Sequence, residues 1–142
     1  VVQSFPLWFP PETLPIAAVV ASLPAAALST NILVVNNLRD RETDMEAGKR
    51  TLAVIIGYRW SRIEFIFMTG MAYTIPLIFW LTGYGPFMLA PLLTLPYAAS
   101  IAVTILSRTD GAALNPALEQ VGKLLAAHSA LFALGFAVPG VL

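Results

Sequence analysis

An all-α membrane protein with four membrane-spanning helices is the fold class that this sequence predicts, on three observations. Hydrophobic residues make up 58% of its 142 residues and charged residues only 11%, where soluble domains carry about 25% charged. Four stretches of mostly apolar residues reach the roughly 20-residue length that crosses a bilayer: about Leu14 to Val35, Phe65 to Thr82, Phe87 to Leu106, and Leu124 to Leu142. All eight Lys and Arg residues lie in the segment between the first two spans or the segment between the last two, so they share one side of the membrane. A soluble bundle of buried helices does not fit spans this long, apolar and cleanly sided.

The elements follow in order. Asn36 and Asn37 close the first span, and residues 36–62 then form a loop outside the lipid. "TGYGP", Thr82 to Pro86, turns the second span into the third. "SRTDGAALNP", Ser107 to Pro116, separates the third from the fourth, with Asn115 expected as N-cap and Pro116 at the first helical position. No span carries an acidic or basic residue in its interior, where each costs about 2.5–3.5 kcal/mol. Pro24, Pro76, Pro91 and Pro96 fall inside spans, where membrane helices tolerate kinks. Gly122 and Ala126 form a small-residue spacing that suits close helix packing. The positive-inside rule puts the two basic segments in the cytoplasm and both termini outside; the Thr82–Pro86 turn has no basic residue and the N-terminal flank carries only Glu12.

A formal net charge of zero leaves no basic surplus for nucleic acid. The absence of cysteine excludes disulfides and thiolate metal sites. The opening "VVQSFPLWFPPE" lacks the basic start and short apolar run of a signal peptide. It also lacks an initiator Met, so the chain is expected to begin within something longer.

Half of the charge sits in "NNLRDRETDMEAGKRTLAV", Asn36 to Val54, where eight ionisable side chains fall between Arg39 and Arg50. On a helix continuing out of the first span, Asp40 and Asp44 share one face, and Asn36 stacks one turn nearer the membrane. Two carboxylates and an amide oxygen are hard donors of the kind Mg²⁺ takes, with water and substrate phosphate completing its shell. Arg39, Arg41, Lys49 and Arg50 stand beside them, suited to phosphate oxygens. Gly48 lets the chain turn between the acidic and basic halves. Spacing alone leaves three readings open: a solvated loop pairing with itself, a dock for phospholipid headgroups, and a metal–diphosphate site.

The same stretch closely resembles the second aspartate-rich motif of the UbiA-type membrane prenyltransferases. Among them it is most similar to the 1,4-dihydroxy-2-naphthoate polyprenyltransferase branch, whose pattern is close to N-N-x-R-D-x-x-T-D-x-x-x-G-K-x-T-L-A. Asn36, Asn37, Arg39, Asp40, Thr43, Asp44, Gly48, Lys49, Thr51, Leu52 and Ala53 stand in matching places. The tail Leu114 to Phe136 also resembles the end of that family. The resemblance implies a nine-helix enzyme of which these spans are the last four. The first motif, N-D-x-x-D-x-x-x-D in outline, is absent from the sequence, so this chain alone is expected to be inactive.

By the same resemblance, the whole enzyme works at the cytoplasmic face of a bacterial cell membrane. It moves a polyprenyl group from an allylic diphosphate to an aromatic ring, with loss of CO₂ from the naphthoate to give a demethylmenaquinone. Asp40 and Asp44, with Asn36, would hold Mg²⁺; Arg39, Lys49 and Arg50 would contact the diphosphate. The rivals are a UbiA-type enzyme with another aromatic or lipid acceptor, and a non-enzymatic membrane module whose charged loop docks a partner. His128 and Asn31 are read as helix-packing residues ahead of cavity groups. Arg59, Trp60, Arg62 and Glu64 mark the membrane interface, while Phe65, Phe67, Tyr73 and Phe79 are left to packing or lipid.

Overall fold

The structure, a computed structural model, describes residues 16–138. The expected span residues Leu14, Pro15 and 139–142, and the Glu12 flank, lie outside the described residues.

Helix α1, Ile16–Arg39, has 24 residues, which at 1.5 Å per residue is about 36 Å, enough to cross a bilayer. Its buried residues, among them Leu28, Asn31, Val35 and Leu38, recur at three- and four-residue spacing, so a single stripe faces the bundle. A short helix α2, Arg41–Glu46, follows, and then α3, Leu52–Phe79. A wide turn at Trp80–Tyr84 and a 3₁₀ stretch at Pro86–Thr94 lead into α4, Leu95–Ser107. Helix α5, Gly111–Ala137, completes the described chain. Four segments are long and apolar enough to cross a membrane: Ile16–Arg39, Leu52–Tyr84, Pro86–Ser107 and Gly111–Ala137.

Helix α1 packs against α3 and α5, and α5 packs in turn against the 3₁₀ stretch and α4. Lipid tails are as apolar as leucine, so van der Waals fit and interhelical hydrogen bonds must hold such a bundle. Both are present. Leu28, Val35, Phe65, Ile101, Val121 and Leu124 form part of one buried cluster. Nearer the turn at Trp80, Phe79, Phe132 and Phe136 meet edge to face, with centroids 5.1–5.7 Å apart. Asn31, fully buried, donates from Nδ2 to the Phe65 carbonyl at 3.2 Å and to Thr69 Oγ1 at 2.9 Å. It is the interhelical bond expected of it. Phe65, Tyr73 and Phe79 are core residues, and Phe67 is exposed.

Several expected boundaries shift. Residues 36–62 are largely helical rather than a loop: α1 runs on to Arg39, and α3 starts at Leu52, well before Phe65, with a kink at Gly57 (φ +76°). Arg59, Arg62 and Glu64 thus lie on α3, ahead of the charge-free stretch from Phe65 to Thr82 and at the charged end of the bundle. Arg62 has a partner that makes it tolerable there. Its guanidinium donates to the carbonyls of Ile105 and Arg108, both at 2.9 Å, satisfying groups that the end of α4 leaves free. The third span begins as 3₁₀ helix, and Pro96 sits in the first turn of α4 rather than kinking its interior. Helix α5 begins at Gly111 rather than at Pro116, and its N-cap is Asp110 rather than Asn115, the Asp110 carboxylate accepting from Ala113 N at 3.2 Å. Asn115 and Pro116 are thus inside the helix. A Cβ at Gly122 would meet nothing within 4 Å among the described residues, whereas one at Gly135 would lie 2.9 Å from the Phe87 carbonyl oxygen.

Candidate functional site

The charged ends of all four spans meet at one end of the bundle. Tyr58 Oη reaches the Thr109 carbonyl at a long 3.5 Å, and Arg62 bonds the end of α4. Arg39, closing α1, donates from Nη1 to Asn115 Oδ1 on α5 at 3.3 Å. The two basic segments identified in the sequence are therefore neighbours in space.

The regular spiral breaks at Asp40 (φ −92°, ψ 2°), between α1 and α2. The backbone bonds nevertheless run through it, Asp40 N to Asn36 O at 3.0 Å and Asp44 N to Asp40 O at 2.8 Å. Asn36, Asp40 and Asp44 thus follow one another turn by turn, as their spacing requires.

Each carboxylate holds a basic neighbour. Arg39 forks onto Asp40, Nε to Oδ1 at 2.7 Å and Nη2 to Oδ2 at 2.8 Å, and Nη2 also reaches Asn36 Oδ1 at 2.8 Å. This bidentate, charge-assisted geometry is the strong form of the pair. The Arg39 hydrogen bond, foremost, holds the Asp40 carboxyl below the usual aspartate range, against partial desolvation. Asp44 is buried and accepts from Lys49 Nζ at 3.0 Å, the lysine itself being largely exposed.

Gly48 makes that second pair possible. Its φ of +71° is left-handed, the conformation of a residue just past a helix end. Gly48 N bonds Met45 O at 3.1 Å and Lys49 N bonds Asp44 O at 2.8 Å, the paired bonds of a Schellman turn. The chain doubles back and sets the lysine over the aspartate five residues earlier.

The remaining basic residues separate into structural and free ones. Arg41 donates to the Ala53 carbonyl at 3.0 Å and lies 4.7 Å from the centroid of the Tyr58 ring; Arg62 lies 5.7 Å from the same ring. These two pin α2 and the 108–110 turn to the start of α3. Arg50 is exposed and makes no hydrogen bond or ion pair among the described residues.

The oxygen donors suit a hard divalent ion, and all but one hold a basic side chain. Arg39 covers Asn36 Oδ1 and both Asp40 oxygens; Lys49 covers Asp44 Oδ1, so Asp44 Oδ2 is the oxygen without a partner among the described residues. No group of three or more His, Cys, Asp or Glu residues gathers as a metal cage among the described residues. Such a partial set fits an ion that keeps waters and shares phosphate oxygens better than one needing an all-protein cage.

Sequence reasoning missed Asn115, taken for a cap, and Tyr58, not singled out at all. His128 is fully buried; its ring nitrogens make no hydrogen bond of good geometry, and the Tyr73 ring meets it edge-on with centroids 5.1 Å apart. It is a packing residue within the core, as expected.

The model of the UbiA prenyltransferase family matches residues 6–137. The UbiA prenyltransferase domain-containing protein 1 of Gallus gallus is 36% identical over 62% of this chain and 26% of its own length. The 1,4-dihydroxy-2-naphthoate octaprenyltransferase of Mycobacterium tuberculosis is 34% identical over 68% of this chain and 32% of its own. That of Haemophilus influenzae is 28% identical over 84% and 39%. The chain thus spans between about a quarter and two fifths of these relatives, which come from vertebrates as well as bacteria. No solved structure matches it at comparable stringency.

Proposed function

The chain belongs to the UbiA prenyltransferase family, and from that premise we propose that its charged end forms half of a diphosphate site for prenyl transfer to an aromatic acceptor. The observation that carries the proposal is the pairing of two motif carboxylates with two basic side chains, Asp40 with Arg39 and Asp44 with Lys49, where the helices leave the membrane. A solvated loop also pairs with itself, and membership of the family is what favours the diphosphate site over it. Here a bidentate fork and a left-handed glycine turn aim both pairs from one short segment.

In the proposed reaction the allylic C–O bond breaks and its electron pair leaves with the diphosphate. Charge grows on the departing oxygens, and donors preset where charge develops give the largest catalytic return. Arg39, Lys49 and Arg50 are the side chains for those oxygens. Asp40, Asp44 and Asn36 are the residues that would hold Mg²⁺. Bound there, the ion would neutralise the leaving group as a Lewis acid. The aromatic carbon closes the new C–C bond on the allylic cation. With 1,4-dihydroxy-2-naphthoate, the ring carboxylate leaves as CO₂ and returns its electron pair to the ring; the names of two relatives favour this acceptor. The polyprenyl tail lies in the lipid while its diphosphate stays at the aqueous edge, on the cytoplasmic side by the distribution of Lys and Arg.

The test uses membranes containing the full-length protein, wild type and Asp40→Ala, given 1,4-dihydroxy-2-naphthoate and a polyprenyl diphosphate with Mg²⁺ or excess chelator. Prenylated naphthoquinol, or the quinone formed from it by oxidation in air, found by mass and requiring both Mg²⁺ and Asp40, is the expected result. Product from a different aromatic acceptor alone would refute the naphthoate assignment and keep the site. No product with any acceptor, from folded protein, would refute prenyl transfer.

A further inference from the structure

We propose that Asn115 is a positioning residue for Arg39, fixing the guanidinium from α5, a helix that carries none of the aspartate-rich stretch. The inference rests on the diphosphate reading and extends it to a side chain outside that stretch.

Two observations carry it. Asn115 Oδ1 accepts from Arg39 Nη1 at 3.3 Å, while Nε and Nη2 are taken by Asp40 and Asn36. Four of the five guanidinium N–H groups are thereby directed, three from the arginine's own turn and one from α5. Independently, Gly111 lies four residues before Asn115, on the same face of α5. There the α5 backbone comes against the root of Arg39: a Cβ at Gly111 would lie 3.3 Å from the Arg39 carbonyl oxygen and 3.6 Å from Cγ. The first turns of α5 therefore hold Arg39 at both root and tip.

Arg39 covers three of the oxygens expected to take a metal. When those oxygens bind an ion, the guanidinium must release them, and an acceptor on another helix keeps it at the edge of the site. A neutral amide suits this task. A carboxylate at position 115 would compete with phosphate for the guanidinium, and an apolar side chain would let a long, flexible arginine swing away.

The experiment is a double-mutant cycle on the full-length protein in detergent. The variants are wild type, Asn115→Ala, Arg39→Ala and the double variant; the readouts are calorimetric binding of magnesium pyrophosphate and prenyl-transfer kcat/KM. Asn115→Ala is expected to weaken binding and lower kcat/KM about tenfold in the wild-type background, with no further loss in the Arg39→Ala background. Asn115→Leu, close in size to asparagine and unable to accept a hydrogen bond, gives the same cycle should Asn115→Ala not fold by gel filtration. Equal losses in both backgrounds, or none in the wild type, overturn the proposal. A wild type that neither binds magnesium pyrophosphate nor transfers a prenyl group overturns the prenyl-transfer reading itself, and this inference with it.

Discussion

Lys49 is bound to Asp44 twice, its backbone N–H to the aspartate carbonyl at 2.8 Å and its ammonium to carboxylate Oδ1 at 3.0 Å. The main-chain bond places the side-chain one. A lysine otherwise spends conformational entropy on every pairing, and here the turn has already brought its Cα over the partner. The pair is thus a property of the turn at Gly48 as much as of its two charges.

Gly48→Ala should expose that dependence. A Cβ at Gly48 meets no atom within 4 Å, so the substitution acts through the left-handed backbone alone, at about 1–2 kcal/mol. Asn tolerates this conformation better than Ala. Thermal unfolding in detergent should therefore rank wild type above Gly48→Asn and Gly48→Asn above Gly48→Ala, with magnesium pyrophosphate affinity in the same order. Equal stability of Ala and Asn variants would show that the turn does not govern the pair.

Acid unfolding should report the Arg39–Asp40 fork. The Asp40 carboxyl is depressed, first by the Arg39 hydrogen bond, with added attraction from Arg39 and Lys49. A depressed carboxyl contributes stability that is complete above its unfolded value, about 3.9, and is lost as pH falls through its lower folded value. Arg39→Gln removes the main cause, so its acid unfolding midpoint should move to higher pH than wild type. Coincident acid limbs for the two proteins would contradict the assignment.

Much of this was legible in the sequence, for reasons that can be named. Apolar length revealed the four spans, and the distribution of Lys and Arg put the charged ends on one side. The Asn36–Asp40–Asp44 spacing survived because the backbone bonds continue through the break at Asp40. Helix ends were read less well. Arg59, Arg62 and Glu64 made the start of α3 look like a loop, although Arg62 is absorbed by the carbonyls at the end of α4. That contact joins residues more than 40 positions apart, and no local pattern foretells it. Likewise, Asn115 followed by Pro116 looks like a helix start, yet the chain was already helical from Gly111, and the amide was free to face Arg39.

Arg50 should separate binding from folding. It is exposed, without an ion pair or hydrogen bond among the described residues, so Arg50→Ala should change stability by less than about 0.5 kcal/mol. If it contacts the diphosphate, the same variant weakens magnesium pyrophosphate binding and lowers kcat/KM, with the loss shrinking as salt rises. Unchanged affinity at low salt would remove Arg50 from the site while leaving Arg39 and Lys49 in it.

Two glycines on α5 should respond oppositely to the same added methyl group. At Gly135 a Cβ would lie 2.9 Å from the Phe87 carbonyl oxygen, 3.2 Å from its carbon and 3.3 Å from Met88 Cα. All three are backbone atoms, so relief requires α5 to move away from the 3₁₀ stretch, at an expected cost of about 1–3 kcal/mol. At Gly122 a Cβ meets nothing within 4 Å, and replacing a mid-helix glycine removes a penalty of up to about 1 kcal/mol. Gly135→Ala should therefore unfold at lower temperature than wild type, and Gly122→Ala at the same or higher temperature. The contrast also tests where α5 makes its close contact. Should Gly122→Ala be the damaging change, the small-residue face at Gly122 and Ala126 would be a packing surface for a helix outside residues 16–138, and the described bundle would be only part of what α5 supports.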